Sequence, residues 1–575
     1  MSLTITIASN AVIAKLHDPD RVVKLAVQEI LSYAVAGAEH VMSFKKGNWD
    51  GRSSFLDFRA GTFPAGFVHY VSAKLRAQGY QVRHVKRPLP EPQGPERPDI
   101  DSFGYDPRYD YQPEVVKQLR KHGQIIARVA TGGGKSRIAR MAYASINLPT
   151  LFLTTRGILM YQMKDAFEEM GTACSVLGDG QFGHETAGGG RAVRKICVGM
   201  VQTLAARVEE KTVEGELEKM MDARVKKELK DYKEYETKLG LLRTPPAEKR
   251  RLLKEFEQNQ EIERKKIAAS LRADAAVKVN EHMRERARVI ALLERFGLVI
   301  LEEAHEASGE SYYQILKHCK NAYYRLALTG TPFMKGDQES NMRLMACSGP
   351  IAIKISEEML IDRGILAQPH FTFIQLRHKP AKLFRGTGWQ SAYRIGIVEN
   401  EYRNDIIVDR CSMFARHGLT SMVLIQQTKH GDVLEAAMRA AGLRVCFIRG
   451  ENDQDERKRA LARLAAGDID VLIGTTILDV GVDVPAVGHV CLAGGGKAEV
   501  ALRQRIGRGL RAKKKGPNLC FVTDFADDFN DHLKLHAKQR QSIIKETAGF
   551  DRFIHEHGRD VDLAALGFPV LMTAA

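Results

Sequence analysis

The sequence predicts an α/β fold: two tandem parallel-sheet domains, a small N-terminal α/β domain, and a helical hairpin inserted into the first large domain. Three observations carry that expectation. Short apolar runs alternate with helical stretches over 106–355 and again over 356–530, the pattern of parallel strands joined by covering helices. Prolines at 88, 90, 92, 95 and 98 make 88–105 neither helix nor central strand, so it reads as a stiff linker. Residues 206–294 interrupt the alternation with a highly charged stretch, in which Leu217, Met221, Val225, Leu229, Tyr232, Tyr235, Leu239 and Leu242 recur by threes and fours.

The elements follow in order. In 1–87, Val22, Val23, Leu25, Ala26, Ile30, Leu31 and Ala34 recur at helical spacing. Strands and turns are expected around Trp49-Asp50-Gly51 and 55–58, then a second helix from near Pro64 to Gly79. This unit is a candidate for recognising a nucleic-acid substrate. The first large domain has expected strands at 125–129, 151–154, 195–198, 298–301 and 325–329. Its inserted hairpin turns at Thr244-Pro245-Pro246. Such an arm is either a solvated coiled coil or a contact for nucleic acid or a protein partner. The second large domain has expected strands at 422–426, 445–448, 471–474, 489–492 and 518–522. Residues 531–575 read as helical, with a basic start at Lys534, Lys538 and Arg540.

Composition narrows the function classes. A charged fraction of 27% and a hydrophobic fraction of 44% fit a globular protein. The net charge of +16 and isoelectric point near 9.3 favour a polyanionic partner such as nucleic acid. Eight scattered cysteines without a C-x-x-C pair argue against a zinc site or a disulfide framework, and for a reducing, cytoplasmic setting. No apolar run reaches the ~18 residues of a membrane span, and no secretory leader is read at the N-terminus.

Chemistry concentrates in three segments. Thr131-Gly132-Gly133-Gly134-Lys135-Ser136 follows an expected strand and opens an expected helix. Glycines there let backbone N–H groups turn toward phosphate, Lys135 can reach the β- and γ-phosphates, and the Ser136 hydroxyl can ligate Mg²⁺. Next, four apolar residues end in Glu302-Glu303-Ala304-His305. That places two carboxylates at the carboxyl edge of a buried strand, one suited to hold a metal and one to act on water. Finally, Gln504-Arg505-Ile506-Gly507-Arg508-Gly509-Leu510-Arg511 sets Arg508 and Arg511 on one helix face. Across a cleft, such a pair can neutralise charge on a transferring phosphoryl group. With no phosphate loop in the second domain, the three segments imply one nucleotide shared between two lobes.

In order and spacing these segments resemble superfamily 2 helicases, over about 106–530. Tyr111-Gln112 resembles the adenine-reading glutamine, Thr154-Thr155-Arg156 with Gln162 resembles motif Ia, and Gln202-Thr203 resembles motif Ib. Glu302 to His305 is similar to the D-E-x-H box, and Thr329-Gly330-Thr331-Pro332 to motif III. Gln426-Gln427-Thr428 resembles motif IV. Gly474-Thr475-Thr476 with Asp479, Gly481 and Asp483 resembles motif V, and 504–511 resembles motif VI. Lys46-Gly47-Asn48-Trp49-Asp50-Gly51, followed by Gly61-Thr62-Phe63-Pro64-Ala65-Gly66, is similar to the leading domain of phage UvsW-type helicases of recombination and repair.

The resemblance implies RecA-like domains, ATP and Mg²⁺ as cofactors, and branched or forked DNA as partner, with RNA or a hybrid as alternatives. By position it assigns Gln112, Thr131, Gly132, Gly133, Gly134, Lys135, Ser136 and Asp483 to nucleotide binding, and Ser136 and Glu302 to the metal. Catalysis falls to Lys135, Glu302, Glu303, Gln504, Arg508 and Arg511. Strand contacts fall to Arg156, Gln202, Thr203, Thr428 and Thr475. Coupling falls to His305, Thr329, Gly330 and Thr331. Glu302 departs from the family pattern, which has Asp, by one methylene, and the insertion has no counterpart in the family core. A duplex translocase that does not separate strands, and an ATP-gated annealing clamp with weak hydrolysis, are the competing functions. A phage-encoded protein would work in the host cytoplasm.

Overall fold

The computed structural model describes residues 4–35, 37–100, 106–185, 191–305, 310–331, 333, 338–475, 487–496, 502, 506–507, 509–513, 516–555 and 561–571. Two large, mainly parallel sheets dominate it. In the first the strand order is Gln181–Phe182, Cys174–Gly178, Ile196–Met200, Thr150–Thr154, Leu298–Glu302, Tyr324–Thr329, Gln124–Val129 and Ile351–Ile355. All but Gln181–Phe182 run parallel. Strands such as Leu298–Glu302 and Tyr324–Thr329 are buried along their whole length because helices cover both faces.

The second sheet is entirely parallel, ordered Val445–Ile448, Val471–Gly474, Ser421–Leu424, His489–Cys491, Leu519–Ala526, Gln368–Gln375 and Ile554–His555. The last strand lies in a segment expected to be wholly helical. Among its described residues only Asp531–Lys545 forms a helix. A buried ion-pair network ties that helix down. Arg540 donates to both carboxylate oxygens of Asp524 and to the Gly496 carbonyl, and Arg403 pairs with Asp527.

Fully buried Arg325 needs compensation within an otherwise apolar strand. Its guanidinium donates to the carbonyls of Leu316, Cys319, Ala322 and Cys347, gathering unsatisfied acceptors around its charge.

The insertion forms two long helices, Val213–Leu241 and Pro246–Leu293. Proline at the first position of the second helix costs no hydrogen bond, which is why the turn falls there. Midway, Glu228 is buried between Arg224 and Arg264, and Tyr235 stacks on Phe256 with ring centroids 4.7 Å apart. At the root, Val289 and Leu293 enter the core of the first large domain beside Leu204, Val208 and Leu301.

The N-terminal unit is a four-stranded sheet ordered Thr62–Pro64, Ile13–His17, Thr4–Ser9 and Gln81–Lys86, with helices Arg21–Ile30 and Val68–Ala77. The first helix stops earlier than its apolar spacing suggested, since Ser32–Ala34 pairs as a strand with Arg52–Ser54. Phe63 is core, whereas Trp49 is half-buried and donates to the Arg52 carbonyl. Met342 and Ala346 of the first large domain complete the core of this unit. The proline-rich linker is strapped to that domain rather than spanning solvent. Gln93 and Gly94 donate to the Ile146 and Ser145 carbonyls, and Tyr324 donates to Pro90.

Gly66 sets how closely the N-terminal unit docks. A Cβ there would stand 2.1 Å from the Met345 carbonyl oxygen and 2.7 Å from that of Ala346. Gly66→Ala is therefore expected to unseat the N-terminal unit while leaving the two large domains folded. Limited proteolysis should then cut within 88–98 at least tenfold faster, and an unchanged cleavage rate would show that this contact does not hold the unit in place.

Candidate nucleotide and nucleic-acid site

Parallel register brings the expected motifs together. Glu302 pairs opposite Leu328, and Thr329 opposite Arg128, so three neighbouring strands end nearly flush. From those ends emerge the glycine loop, the acid pair and Thr329-Gly330-Thr331. On the other half of the sheet Met200 pairs opposite Thr154, which brings Thr155-Arg156 beside Gln202-Thr203. Gln202 donates to the Thr155 carbonyl at 3.0 Å, joining those two segments directly. The carboxyl edge thus carries the expected nucleotide-site residues on one half and the expected strand-contact residues on the other.

The loop is shaped for close backbone approach. Gly132 and Gly134 take φ of 86° and 78°, and helix Lys135–Ile146 begins immediately after. Lys135 and Ser136 occupy its first two positions, Ser136 exposed and Lys135 half-buried. Gln112, expected to read adenine, turns beneath the loop instead. Its amide donates to the Gly133 carbonyl at 3.3 Å and accepts from Arg137, and its side chain is fully buried. With both polar ends engaged, it braces the cradle from below. Tyr111 adds a 2.9 Å bond to the same carbonyl, a role with no signal in the sequence.

The two glutamates have different environments. Glu303 forms an ion pair with Lys135 at 3.0 Å and approaches His305 Nδ1 at 3.4 Å. His305 in turn meets the Thr329 hydroxyl at 3.1 Å, and that hydroxyl accepts from the Thr331 N–H at 3.2 Å. A continuous polar chain therefore links loop, acid pair and the third segment. Glu303 holds this position with φ of 47°, a left-handed conformation costing a non-glycine residue about 1–2 kcal/mol.

Glu302, only 5% exposed, has a carboxylate oxygen Oε2 that is buried without a hydrogen-bond partner. Burial, then repulsion from Glu303, push its pKa up to about 7, with Lys135 opposing. An orphaned buried oxygen beside a phosphate cradle fits a metal-bound water. Among the described residues no three His, Cys, Asp or Glu side chains converge on a metal.

The second lobe reaches the loop. A Cβ at Gly507 would lie 2.7 Å from the Thr131 Cβ, so the last expected motif packs against the first. Leu366, between the lobes, covers Gly132 and bridges Arg511 in antiparallel fashion, while Ala367 donates to Leu510 at 2.7 Å. Nothing in the sequence pointed to Leu366. Arg511 is exposed and sits in the bridge to Leu366, not on a helix face as expected, while Leu502, Ile506 and Leu510 are buried rather than solvated. Thr428 is exposed at the first position of helix Thr428–Ala440. Thr475 is buried, with its hydroxyl oxygen unpartnered. Asp479, Gly481, Asp483, Gln504 and Arg508 lie outside the described residues.

A buried carboxyl with a raised pKa weakens folding as pH rises. The folded state holds a proton that the unfolded chain releases near pH 4.5, so the penalty grows from there and is complete above about pH 7. Glu302→Gln removes it. Without nucleotide or divalent ion, its melting temperature should exceed the parent's above pH 7, by the equivalent of about 1–3 kcal/mol, and converge near pH 4.5. Equal melting at both pH values would mean that the carboxylate is solvated.

Two family profiles and several known proteins match the chain. Residues 106–334 match the family profile "Type III restriction enzyme, res subunit", and 405–513 match "Helicase conserved C-terminal domain", together more than half of the chain. Over 270 residues the chain is 24% identical to "ATP-dependent DNA helicase uvsW" of Enterobacteria phage T4, covering 46% of this chain and 52% of that protein. Over 115 residues it is 32% identical to "ATP-dependent RNA helicase SrmB" of Escherichia coli (strain K12), covering 20% of this chain and 25% of that protein. The chain thus matches about half the length, or less, of these curated relatives. The crystal structure of T4 UvsW aligns over 97% of this chain and 99% of its own, at 17% identity and a TM-score of 0.40. Two parallel-sheet lobes meeting at one glycine loop, under these two profiles, place the chain among the superfamily 2 helicases.

Proposed function

We propose that the protein is an ATP-driven DNA helicase or translocase that unwinds or branch-migrates forked and branched DNA, in phage recombination, replication or repair. The packing of Gly507 against Thr131 carries this reading. It sets the second lobe directly over the cradle, where a triphosphate can be held by both halves and felt by both. The relative named as an ATP-dependent DNA helicase supports DNA over RNA.

The residues divide the work by position. Backbone N–H groups of 132–136 and the Lys135 amine bind the β- and γ-phosphates. Ser136 and Glu302 would hold Mg²⁺, which when bound neutralises phosphate charge. Glu303, paired with Lys135 and close to His305, accepts a proton from water. Its neighbour Thr329 registers the change through the His305 contact and passes it to Thr331. Arg508 and Arg511 supply charge from the second lobe. Arg156, Gln202, Thr203, Thr428 and Thr475 contact the strand backbone without reading bases.

Lys135→Ala should lower DNA-stimulated phosphate release by about two to three orders of magnitude while leaving DNA affinity and melting temperature near the parent's. Arg511→Ala should keep ATP binding but lose stimulated turnover by up to about 10³-fold, because its contact with Leu366 is made by main chain. Turnover retained in both variants would remove these segments from the site. Phosphate release on single strands, duplexes, forks, four-way junctions and RNA, beside triplex displacement and fork unwinding, tests the substrate. Triplex displacement without unwinding would favour a duplex translocase.

A further inference from the structure

The end of the helical arm is chemically unlike its shaft. Between 237 and 254 the chain carries Lys238, Arg243, Lys249, Arg250, Arg251 and Lys254 against one carboxylate, Glu248. Along the shaft, cations pair with neighbouring acids, as in Arg224 and Arg264 with Glu228, or Lys230 with Glu234. At the tip only Lys249 is paired, with Glu236 at 3.3 Å. Lys238, Arg243, Arg250, Arg251 and Lys254 are exposed and make no ion pair among the described residues. Amid them Leu241 and Leu242 stand 80% and 68% exposed, whereas Leu239 and Leu253, one turn below, are buried between the helices. A solvated coiled coil requires neither exposed leucines nor five exposed cations outside any ion pair at its end.

The root of the arm gives this tip a direction. The arm leaves helix Val201–Val208, which carries Gln202 and Thr203 of the expected strand groove. Arg207 pairs with Glu285 at 2.7 Å, Arg286 donates to the Val208 carbonyl, and His282 contacts the Glu209 carbonyl, so the root is clamped to that helix. The 29-residue outward helix then projects the tip about 40 Å. The returning helix leads within a few residues into Leu298–Glu302, the strand of the acid pair.

We propose that the arm tip is a second nucleic-acid contact, at which the cations grip backbone phosphates and Leu241 and Leu242 wedge against unstacked bases at a branch. Phosphate attraction explains the cations, and insertion of an aliphatic side chain at a disrupted base step explains the leucines. The proposal rests on the helicase reading for its substrate, but its test can fail separately.

Two variants of the full-length protein test it: Leu241→Ser with Leu242→Ser, and Arg243→Ala with Arg250→Ala and Arg251→Ala. All five positions are exposed, so helicity and melting should match the parent's. ATP hydrolysis stimulated by single-stranded DNA should stay within twofold. The arginine variant should bind a forked duplex about tenfold more weakly near 0.1 M salt, with a salt slope shallower by about two to three. The leucine variant should bind nearly as tightly but lose at least fivefold in fork unwinding, and in the fluorescence rise of 2-aminopurine at the junction. A benzophenone at position 242 should crosslink to the junction strands. Parental fork binding and unwinding in both variants, with no crosslink, would overturn the proposal and leave the tip for a protein partner. A parent unstimulated by any nucleic acid would sink the helicase reading instead, while the crosslink would still report on the tip.

Discussion

The flush register of three parallel strands is the constraint on which the nucleotide site depends. Gln124–Val129, Tyr324–Thr329 and Leu298–Glu302 are neighbours, and their carboxyl ends deliver the loop, the polar couple and the acids into one small volume. A slip of one residue between two of them would move a side chain by about 3.3 Å along the strand and turn it to the opposite face. Lys135 could then no longer meet Glu303. What prevents slippage is the burial of these strands on both faces, since each large side chain withdrawn from water contributes about 1.5–3 kcal/mol. Core packing and catalytic geometry are thus one requirement, and the same edge extends unbroken to Thr154 and Met200, where strand contacts are expected.

Within that frame, two adjacent glutamates are separated in behaviour by backbone geometry. Had the strand continued beyond Glu302, alternation would have sent the two side chains to opposite faces. The left-handed turn at Glu303 instead brings its carboxylate to Lys135 and His305, and leaves Glu302 in the interior with an unpartnered oxygen. One carboxylate is paired with a lysine, and the other is buried where its pKa is raised to about 7. The extra methylene of Glu302, relative to Asp, lengthens its reach from a rigid strand end. The strain and the orphaned oxygen both disfavour folding, and both sit where a bound cation and phosphate would relieve them.

Much of this was legible in the chain, for reasons that can be named. Continuous apolar runs such as 298–301 and 445–448 read as buried strands, and the spacing by threes and fours before Pro245-Pro246 reads as a hairpin of helices. Gln368–Gln375 was missed because Pro369, His370 and Thr372 interrupt its apolar character, although it lies inside the second sheet. Cys174–Gly178 is too mixed to stand out from a loop, with Ser175 and Gly178 flanking only two large apolar residues. The prolines announced a stiff segment, but its fastening to Ser145 and Ile146 depends on carbonyls at the end of a distant helix. At the site, residue types gave the loop, the acids and Arg511. Tertiary contact alone decided that Gln112 turns inward and that Leu366 covers Gly132.

That cover bears on how the lobes can move. Leu366 and Ala367 are bonded through their main chain to Arg511 and Leu510, while the Leu366 side chain rests on Gly132. The connection between lobes therefore passes over the phosphate cradle and is fastened to the segment facing it. The inter-lobe connection beside Gly132 is thus joined to Leu510 and Arg511 by main-chain pairing, not by a long side-chain relay. On the opposite half of the same sheet, the arm is anchored on the helix of Gln202 and ends in the strand of Glu302. Two short covalent routes therefore leave this one sheet edge, one to the second lobe and one to the arm.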